Sequence, residues 1–299
     1  MDPHTDLFQK HRPRLLGLAY RMLGTPADAE DVLHDAWLRW HAQNKADLDD
    51  PEAWLVTVTT RLALDRLRHA KVERERYTGP WLPEPLIEPG DQPDTQAEQA
   101  QTLTMSFLLM LERLSAEERA AFLLHEIFDY SHAEAAIILG ITEDACRQRA
   151  HRAKQRLREE RTRFTANAQT QRKLLERFAQ ALDHPTEENL HALFAEDALH
   201  LSDGGGLAVA ALRPLLGAAR IARLYVQVAK HEQDHNVHRR LHMLNGAPVL
   251  LTWTEGRLVT ATWIECDGDR IVALHALRNP EKLGRLAAVT KSEAETSLH

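Results

Sequence analysis

Between residues 147 and 158 the chain concentrates side chains that can read a nucleic acid: Arg147, Gln148, His151, Arg152, Lys154 and Arg158. An arginine fork matches the guanine edge in the major groove, a glutamine amide matches adenine, and the later cations suit phosphates. A second basic run, Arg61, Arg66 and Arg68, continues into Lys71, Arg74 and Arg76. Opposite in sign is an acidic set, Asp28, Glu30, Asp31 and Asp35, with Arg39 at its end. Taken by charge alone, that set could be only a solvated helix face.

A catalytic pattern is also present. His231, Glu232 and His235 spell H-E-x-x-H, which holds zinc only when one helix presents both histidines. Here it falls at the end of a predicted helix, in a histidine-rich polar segment. Zinc chemistry is not expected. Cys146 and Cys266 sit in different predicted domains and make no ligand pattern.

The donors at 147–158 need a helix held by another helix, and the sequence supplies both. Ser131 and Glu134 form a capping box, Ala135, Ala136 and Leu139 allow close approach, and Gly140 suits a left-handed stop before Ile141. Thr142 caps the next helix, with Glu143 and Asp144 at the positive end of its dipole. Cys146, Ala150, Ala153 and Leu157 share its inner face. This is a helix–turn–helix pattern, for which a solvated basic helix in an ordinary bundle is the alternative. A second capping box, Ser115 with Glu118, opens the helix beneath it, whose core is Phe122, Leu123 and Ile127.

Upstream, 7–77 reads as a helical domain. Leu15, Leu16, Leu18, Ala19, Met22 and Leu23 form a stripe ended by Gly24, and Thr25 with Pro26 restarts the chain as a helix. Val32, Leu33, Ala36, Trp37 and Trp40 turn inward there. Pro51 opens another helix, with Trp54, Leu55, Val58, Leu62 and Leu67 inward and the basic run outward. Residues 78–101 then carry five prolines, five acids and no lysine or arginine, which resists helix and sheet. The core from Trp81 to Leu86 is too apolar for a solvated spacer and suggests docking. Beyond 167 come two amphipathic helices, a short apolar segment at 198–201, the turn at Asp203, a helix near 213–229, and strands separated by Asn245-Gly246, Glu255-Gly256 and Asp267-Gly268. That order predicts an α+β domain with an antiparallel meander.

Length fits two or three domains, and no apolar run approaches a bilayer span or the core of a signal peptide. A cytoplasmic protein with no membrane partner is expected. The net charge of −7 argues against indiscriminate polyanion binding, but local charge decides DNA affinity.

GTPADAEDVLHDAWLRW followed by PEAWLVTVTTRLALDRLR resembles region 2 of extracytoplasmic-function sigma factors, and Leu103 to Arg158 resembles their region 4. The WLPEPL linker, DGGG at Asp203 to Gly206 and NPEKL at Asn279 to Leu283 resemble the subgroup with a fused SnoaL-like domain. Two departures are Arg61, where many members have asparagine, and Leu207, where a lysine usually follows the glycines. The resemblance implies two all-α sigma domains followed by an α+β SnoaL-like domain of the nuclear transport factor type. The expected boundaries are region 2 at 1–77, linker at 78–101, region 4 at 102–163, SnoaL-like domain at 167–284 and a mobile tail at 285–299.

It also implies core RNA polymerase and promoter DNA as partners. Region 2 would melt and read the −10 element, region 4 would read the −35 element, and Asp28, Glu30, Asp31, Asp35 and Arg39 would meet the polymerase clamp. An interdomain regulatory set follows: Trp81, Leu82, Pro83, Glu84 and Pro85 against Asp203, Gly204, Gly205, Gly206, Asn279, Pro280, Glu281, Lys282 and Leu283. The C-terminal domain would modulate activity, with a small-molecule or protein regulator compatible with its pocket. SnoaL-like folds include enzymes with a pocket Asp or His as proton-transfer base, so His200, Asp203, Trp253, Trp263 and His275 are pocket candidates by strand position. A carboxylate at Asp203 can equally cap its own turn. No catalytic residue, metal or cofactor is assigned. Two rivals stand beside this reading: a ligand-sensing helix–turn–helix regulator that needs no polymerase, and a SnoaL-like enzyme with an accessory DNA-binding part.

Overall fold

The computed structural model describes residues 3–43, 48–86, 104–161 and 168–287. The chain divides into two compact units, one from Met1–Glu75 with Phe107–Glu160, the other from Arg76–Ser106 with Arg161–His299.

In the first unit, α1 (Pro3–Leu23), α2 (Pro26–Ala42) and α3 (Pro51–Arg74) pack pairwise. Thr25 caps α2 and Asp50 caps α3, each followed by proline at the helix start. Trp40 is buried and Trp37 half-buried, so α2 turns the expected stripe inward. The later part of the unit holds α4 (Met105–Leu111), α5 (Ala116–Phe122), a π-turn (Leu123–Ile127), α6 (His132–Leu139) and α7 (Glu143–Arg161). Both capping boxes form, at Ser115–Glu118 and Ser131–Glu134. Gly140 ends α6 at φ 67°, and Thr142 Oγ1 accepts from the Ala145 N–H. Cys146, Ala150, Ala153 and Leu157 are all buried, which seats α7 as the inner-face pattern requires.

Cations of α3 hold the two parts of this unit together. Arg74 and Arg119 both pair with Glu112, and Arg119, with no exposed surface, also donates to the Met22 carbonyl at 2.7 Å. Burial pushes the Glu112 carboxyl up, but the Arg119 and Arg74 guanidiniums beside it win and hold it below its ordinary value. Lys71 donates to the Leu114 carbonyl, and burial followed by the nearby Arg119 lowers its pKa.

The second unit packs α8 (Ala168–Asp183), α9 (Glu187–His191) and α10 (Ala218–Glu232) on one face of a six-stranded sheet. Its strands are β1 (Phe194–Asp203), β2 (Leu215–Leu216), β3 (Val237–Leu244), β4 (Ala247–Thr254), β5 (Arg257–Asp267) and β6 (Arg270–Leu277), in the order β2-β1-β6-β5-β4-β3. β3 to β6 form the expected antiparallel meander, but β1 lies parallel to β6, so the sheet is mixed. Local pattern could not show this, because the partner of β1 is about 75 residues away. β1 begins at Phe194, ahead of the apolar segment expected at 198–201, and the helix expected near 213–229 starts at Ala218 because Leu215–Leu216 pair with β1 first. A further helix spans 280–287. This succession of a helical unit and an α+β unit is the architecture that the resemblance implied.

Gly140 tests the turn between α6 and α7. A Cβ there meets nothing within 4 Å, so Gly140→Ala adds only the left-handed backbone strain. The expected loss is about 1 kcal/mol, read as a lower denaturation midpoint. A loss several times larger would mean that the turn itself is packed.

Candidate functional site

Two sites emerge from the predicted residues: a basic helical surface, and a polar clamp on the linker.

On α7, Arg147, Gln148, His151, Arg152 and Arg158 are exposed and Lys154 is half-buried. Several are held by carboxylates of the same unit. Arg147 meets Glu143 at 2.5 Å, Lys154 meets Glu126 at 2.7 Å, and Arg156 meets Glu118 at 2.8 Å with Arg152 close by at 3.9 Å. Arg156 was not among the residues read from the sequence, although its place two positions after Lys154 was visible.

The basic run of α3 is engaged differently. Arg61 Nε donates to the Ile138 carbonyl at 2.9 Å and its Nη2 to Ile137 at 3.3 Å. These are last-turn carbonyls of α6, where a cation is favoured. Arg66 forks onto Asp28, and that hydrogen bond and charge raise its pKa. Arg68 bridges Asp65 and Glu117, each at 3.0 Å. A cavity of about 550 Å³ lies beside it, lined among others by Leu64, Arg68, Glu117, Ile141, Arg149 and Arg152. On α2, Glu30 pairs with Arg12, while Asp31, Asp35 and Arg39 are exposed beside Leu38, itself 53% exposed.

The clamp belongs to the second unit and centres on Asp203, the last residue of β1, which has no exposed surface. Its Oδ1 accepts from the Tyr77 hydroxyl at 2.6 Å and from the Gly205 N–H at 3.1 Å. Its Oδ2 accepts from the Leu82 N–H at 2.9 Å and pairs with Lys282 Nζ at 2.8 Å. Lys282 also donates to the Leu82 carbonyl at 2.6 Å, and its ammonium lies 4.2 Å from the Trp81 ring centre and 5.1 Å from that of Tyr77. Asn279 Nδ2 donates to the Tyr77 hydroxyl at 2.8 Å. Burial, then the hydrogen bond to Asp203, raises the Tyr77 pKa strongly, so the phenol stays a donor.

Thus Asp203 does cap its turn at Gly205 and at the same time grips the linker. Leu82, Pro83 and Pro85 are buried, Trp81 and Glu84 are half-buried, and the Leu86 N–H reaches Asn245 at 2.9 Å. Gly205 is required by space as well as by φ 59°, since a Cβ there would stand 2.3 Å from Asn279 Nδ2. Gly204 and Gly206 complete the turn, and Leu283 is buried while Pro280 and Glu281 are exposed. Tyr77 was missed in sequence because it was assigned to the preceding helical domain. The remainder of the linker, 87–101, and the tail beyond 287 lie outside the described residues.

Of the five pocket candidates, His200 is set apart from the others. His200 faces the helical side, 5.5 Å from the Tyr225 ring, with Nδ1 3.2 Å from the Leu274 carbonyl, and burial pushes its pKa down to about 4. The alternating register puts Asp203, His275 and Trp263 on the other face, where His275 Nε2 meets Glu265 at 3.1 Å. Trp253 packs near His238 and His242. A two-residue period separates neighbours that look adjacent in a list. For the H-E-x-x-H segment, α10 ends at Glu232, whose carboxylate is taken by Arg239, and His235 lies beyond the helix. Among the described residues no group of three His, Cys, Asp or Glu could hold a metal, and no helix is long and apolar enough to cross a membrane.

Removing the Asp203 carboxylate takes the counter-charge from the buried Lys282 ammonium. Asp203→Ala should therefore weaken linker docking by about 3–5 kcal/mol, and Asp203→Asn, which keeps acceptors, by less. Amide exchange at residues 77–86 should rise in that order. Equal protection in wild type and Asp203→Ala would show that apolar burial alone holds the linker.

The descriptions of two protein families match the chain: Sigma-70 region 2 over residues 7–72, and Sigma-70 region 4 over residues 104–157. The ECF RNA polymerase sigma factor SigJ of Mycobacterium tuberculosis is 36% identical over 219 residues, covering 72% of this chain and 70% of the relative. The probable ECF RNA polymerase sigma factor SigI of the same species is 28% identical over 296 residues, covering 96% and 97%. The crystal structure of M. tuberculosis SigJ superposes with a TM-score of 0.74 at 31% identity, covering 94% of this chain and 98% of that one.

Proposed function

This chain belongs to the extracytoplasmic-function sigma factors of RNA polymerase, and we propose that its two DNA-reading parts act only after the helical unit opens, under control of the clamped linker. A sigma factor directs core polymerase to promoters. In our assignment α7 reads the −35 element, with Arg147, Gln148, His151 and Arg152 at base edges and Lys154 and Arg158 on phosphates. Region 2 reads the −10 element with Arg61, Arg66 and Arg68 beside the melted strand, and Asp28, Glu30, Asp31, Asp35 and Arg39 meet the polymerase. The protein acts in the cytoplasm. Its working divisions are 1–77, 78–101, 102–163, 167–284 and the tail at 285–299.

Distance supports the opening step. The −10 and −35 elements are named for positions roughly 25 base pairs apart, about 85 Å of duplex at 3.4 Å per step. Arg61 of region 2 and the α6 carbonyls of region 4 are in direct contact. Both elements cannot be occupied while that contact lasts.

The observation that carries the regulatory reading is the grip of Asp203 and Lys282 on Leu82, from its N–H to its carbonyl. The linker joins regions 2 and 4, so holding or releasing it sets how freely they separate. The C-terminal domain works in this reading as a holder and not as a catalyst, which the division of its polar residues between two sheet faces favours.

Fluorescent labels on α2 and α7 of the full chain should move apart when core polymerase is added. Arg61→Ala should shift the free protein part of the way. An unchanged separation in free and core-bound protein would sink the opening step. In run-off transcription over −35 variants, Arg147→Ala should cost about 1–3 kcal/mol and relax preference at particular positions.

A further inference from the structure

Ahead of the recognition helix, the rings of His125 and His132 stack with centroids 3.8 Å apart and planes 28° from parallel. His125 lies in the π-turn and His132 is the first residue of α6, so the stack pins two elements together. His125 Nδ1 is 2.8 Å from the Tyr130 carbonyl, which can only accept. Nδ1 therefore carries the hydrogen, and Nε2 is the basic nitrogen. That Nε2 stands 3.9 Å from Glu126, whose carboxylate already holds Lys154 of α7. His132 Nδ1 is closed off from solvent, with no hydrogen-bond partner among the described residues.

Charged groups reach this pair from each neighbouring element. Arg147 and Glu143 of α7 act on His132 in opposite senses, as do His125 and Glu126 of the π-turn. Beside it, Tyr130 is faced by Arg14 of α1, Glu52 of α3, Asp50 at the α3 cap and Glu134 of α6.

We infer that the His125–His132 stack is a proton-sensitive pin of the helix–turn–helix, which fixes α6 and α7 when neutral and loosens them on taking up a proton. The proton that loosens it is the one taken up by His132, whose ring lies 3.8 Å from that of His125 and whose Nδ1 is enclosed. A proton there sets a new cation within reach of Arg147 of α7, which already disfavours a charge on His132. Protonated, its ring would hold an enclosed donor with no hydrogen-bond partner among the described residues. Burial, then His125 and Arg147, holds the His132 pKa below its ordinary value. A base with a depressed pKa binds its proton more readily when the pin is open. The pin is thus intact above an ordinary histidine pKa of about 6.5 and weakens as the pH falls through it.

The test is amide exchange in the full chain at pH 7.5 and 6.0, corrected for intrinsic rates. Linked uptake of one proton changes an opening equilibrium by up to about tenfold per pH unit. Exchange along α6 and the first turns of α7 should accelerate several-fold at pH 6.0, while α2 stays unchanged. His132→Phe keeps a flat ring in the stack and should abolish the acceleration. The wild-type resonances give a second reading independent of that variant: His132 should titrate below the ordinary histidine range. Identical pH responses in wild type and His132→Phe, or titration of His132 at the ordinary value of about 6.5, would overturn the inference.

Discussion

A buried carboxylate must find enough donors to replace water, and Asp203 has four: a phenol, two backbone N–H groups and an ammonium. They come from three separated stretches of chain, at 77–82, 203–205 and 282. None of the three satisfies the charge alone, so the linker, the glycine turn and the final helix are mutually dependent. Lys282 has the complementary difficulty, and it is met by Asp203, the Leu82 carbonyl and two aromatic faces. A proline-rich segment with almost no regular structure is thereby held as firmly as a strand, because its few free backbone groups are the ones used.

The helical unit follows the same logic with the signs reversed. Glu112 is enclosed by Arg74 and Arg119, and Arg119 has no exposed surface at all. Such a triad adds little stability over an apolar packing of the same volume, but it accepts few alternative arrangements. Its members lie on α3, just after α4, and in α5, so it sets how region 4 rests on region 2 in the free protein. At the far end of the same face, Arg61 meets only carbonyl oxygens at an exposed helix end, a contact that water can replace at small cost. One end of the contact is therefore tightly specified and the other easily undone, which is the condition for hinged opening.

Much of this was legible in the residue order. Ser131 to Gly140 carries its start and stop signals locally, and φ 67° at Gly140 and the capping hydrogen bonds follow from them. The linker's docking was legible too, since Trp81 and Leu82 are out of place in a solvated acidic spacer, and the DGGG and NPEKL resemblance pointed to the surface that receives it. What could not be read was pairing at long range. The parallel β1–β6 contact, the opposite faces of His200 and His275, and the entry of Tyr77 into the clamp all depend on register between distant segments. The stack of His125 on His132 was hidden for a related reason: an i, i+7 spacing places rings together only because the π-turn and Asp129, at φ 60°, fold the chain back between them.

The electrostatics of α7 account for how an acidic chain can also read DNA. Its outward cations are not waiting unpaired. Arg147, Lys154 and Arg156 each hold a carboxylate from Glu143, Glu126 or Glu118, and Arg152 stands close to the last of these. Binding DNA therefore exchanges one anion for another, and the gain per phosphate is the difference between two similar pairings instead of the full attraction of a bare cation. The same exchange applies to Arg147 and Arg152, which we propose for base edges. On that proposed assignment, a carboxylate that never touches DNA, such as Glu143, sets how much Arg147 gains from any sequence it meets, so the pairing weighs on selectivity as well as on affinity.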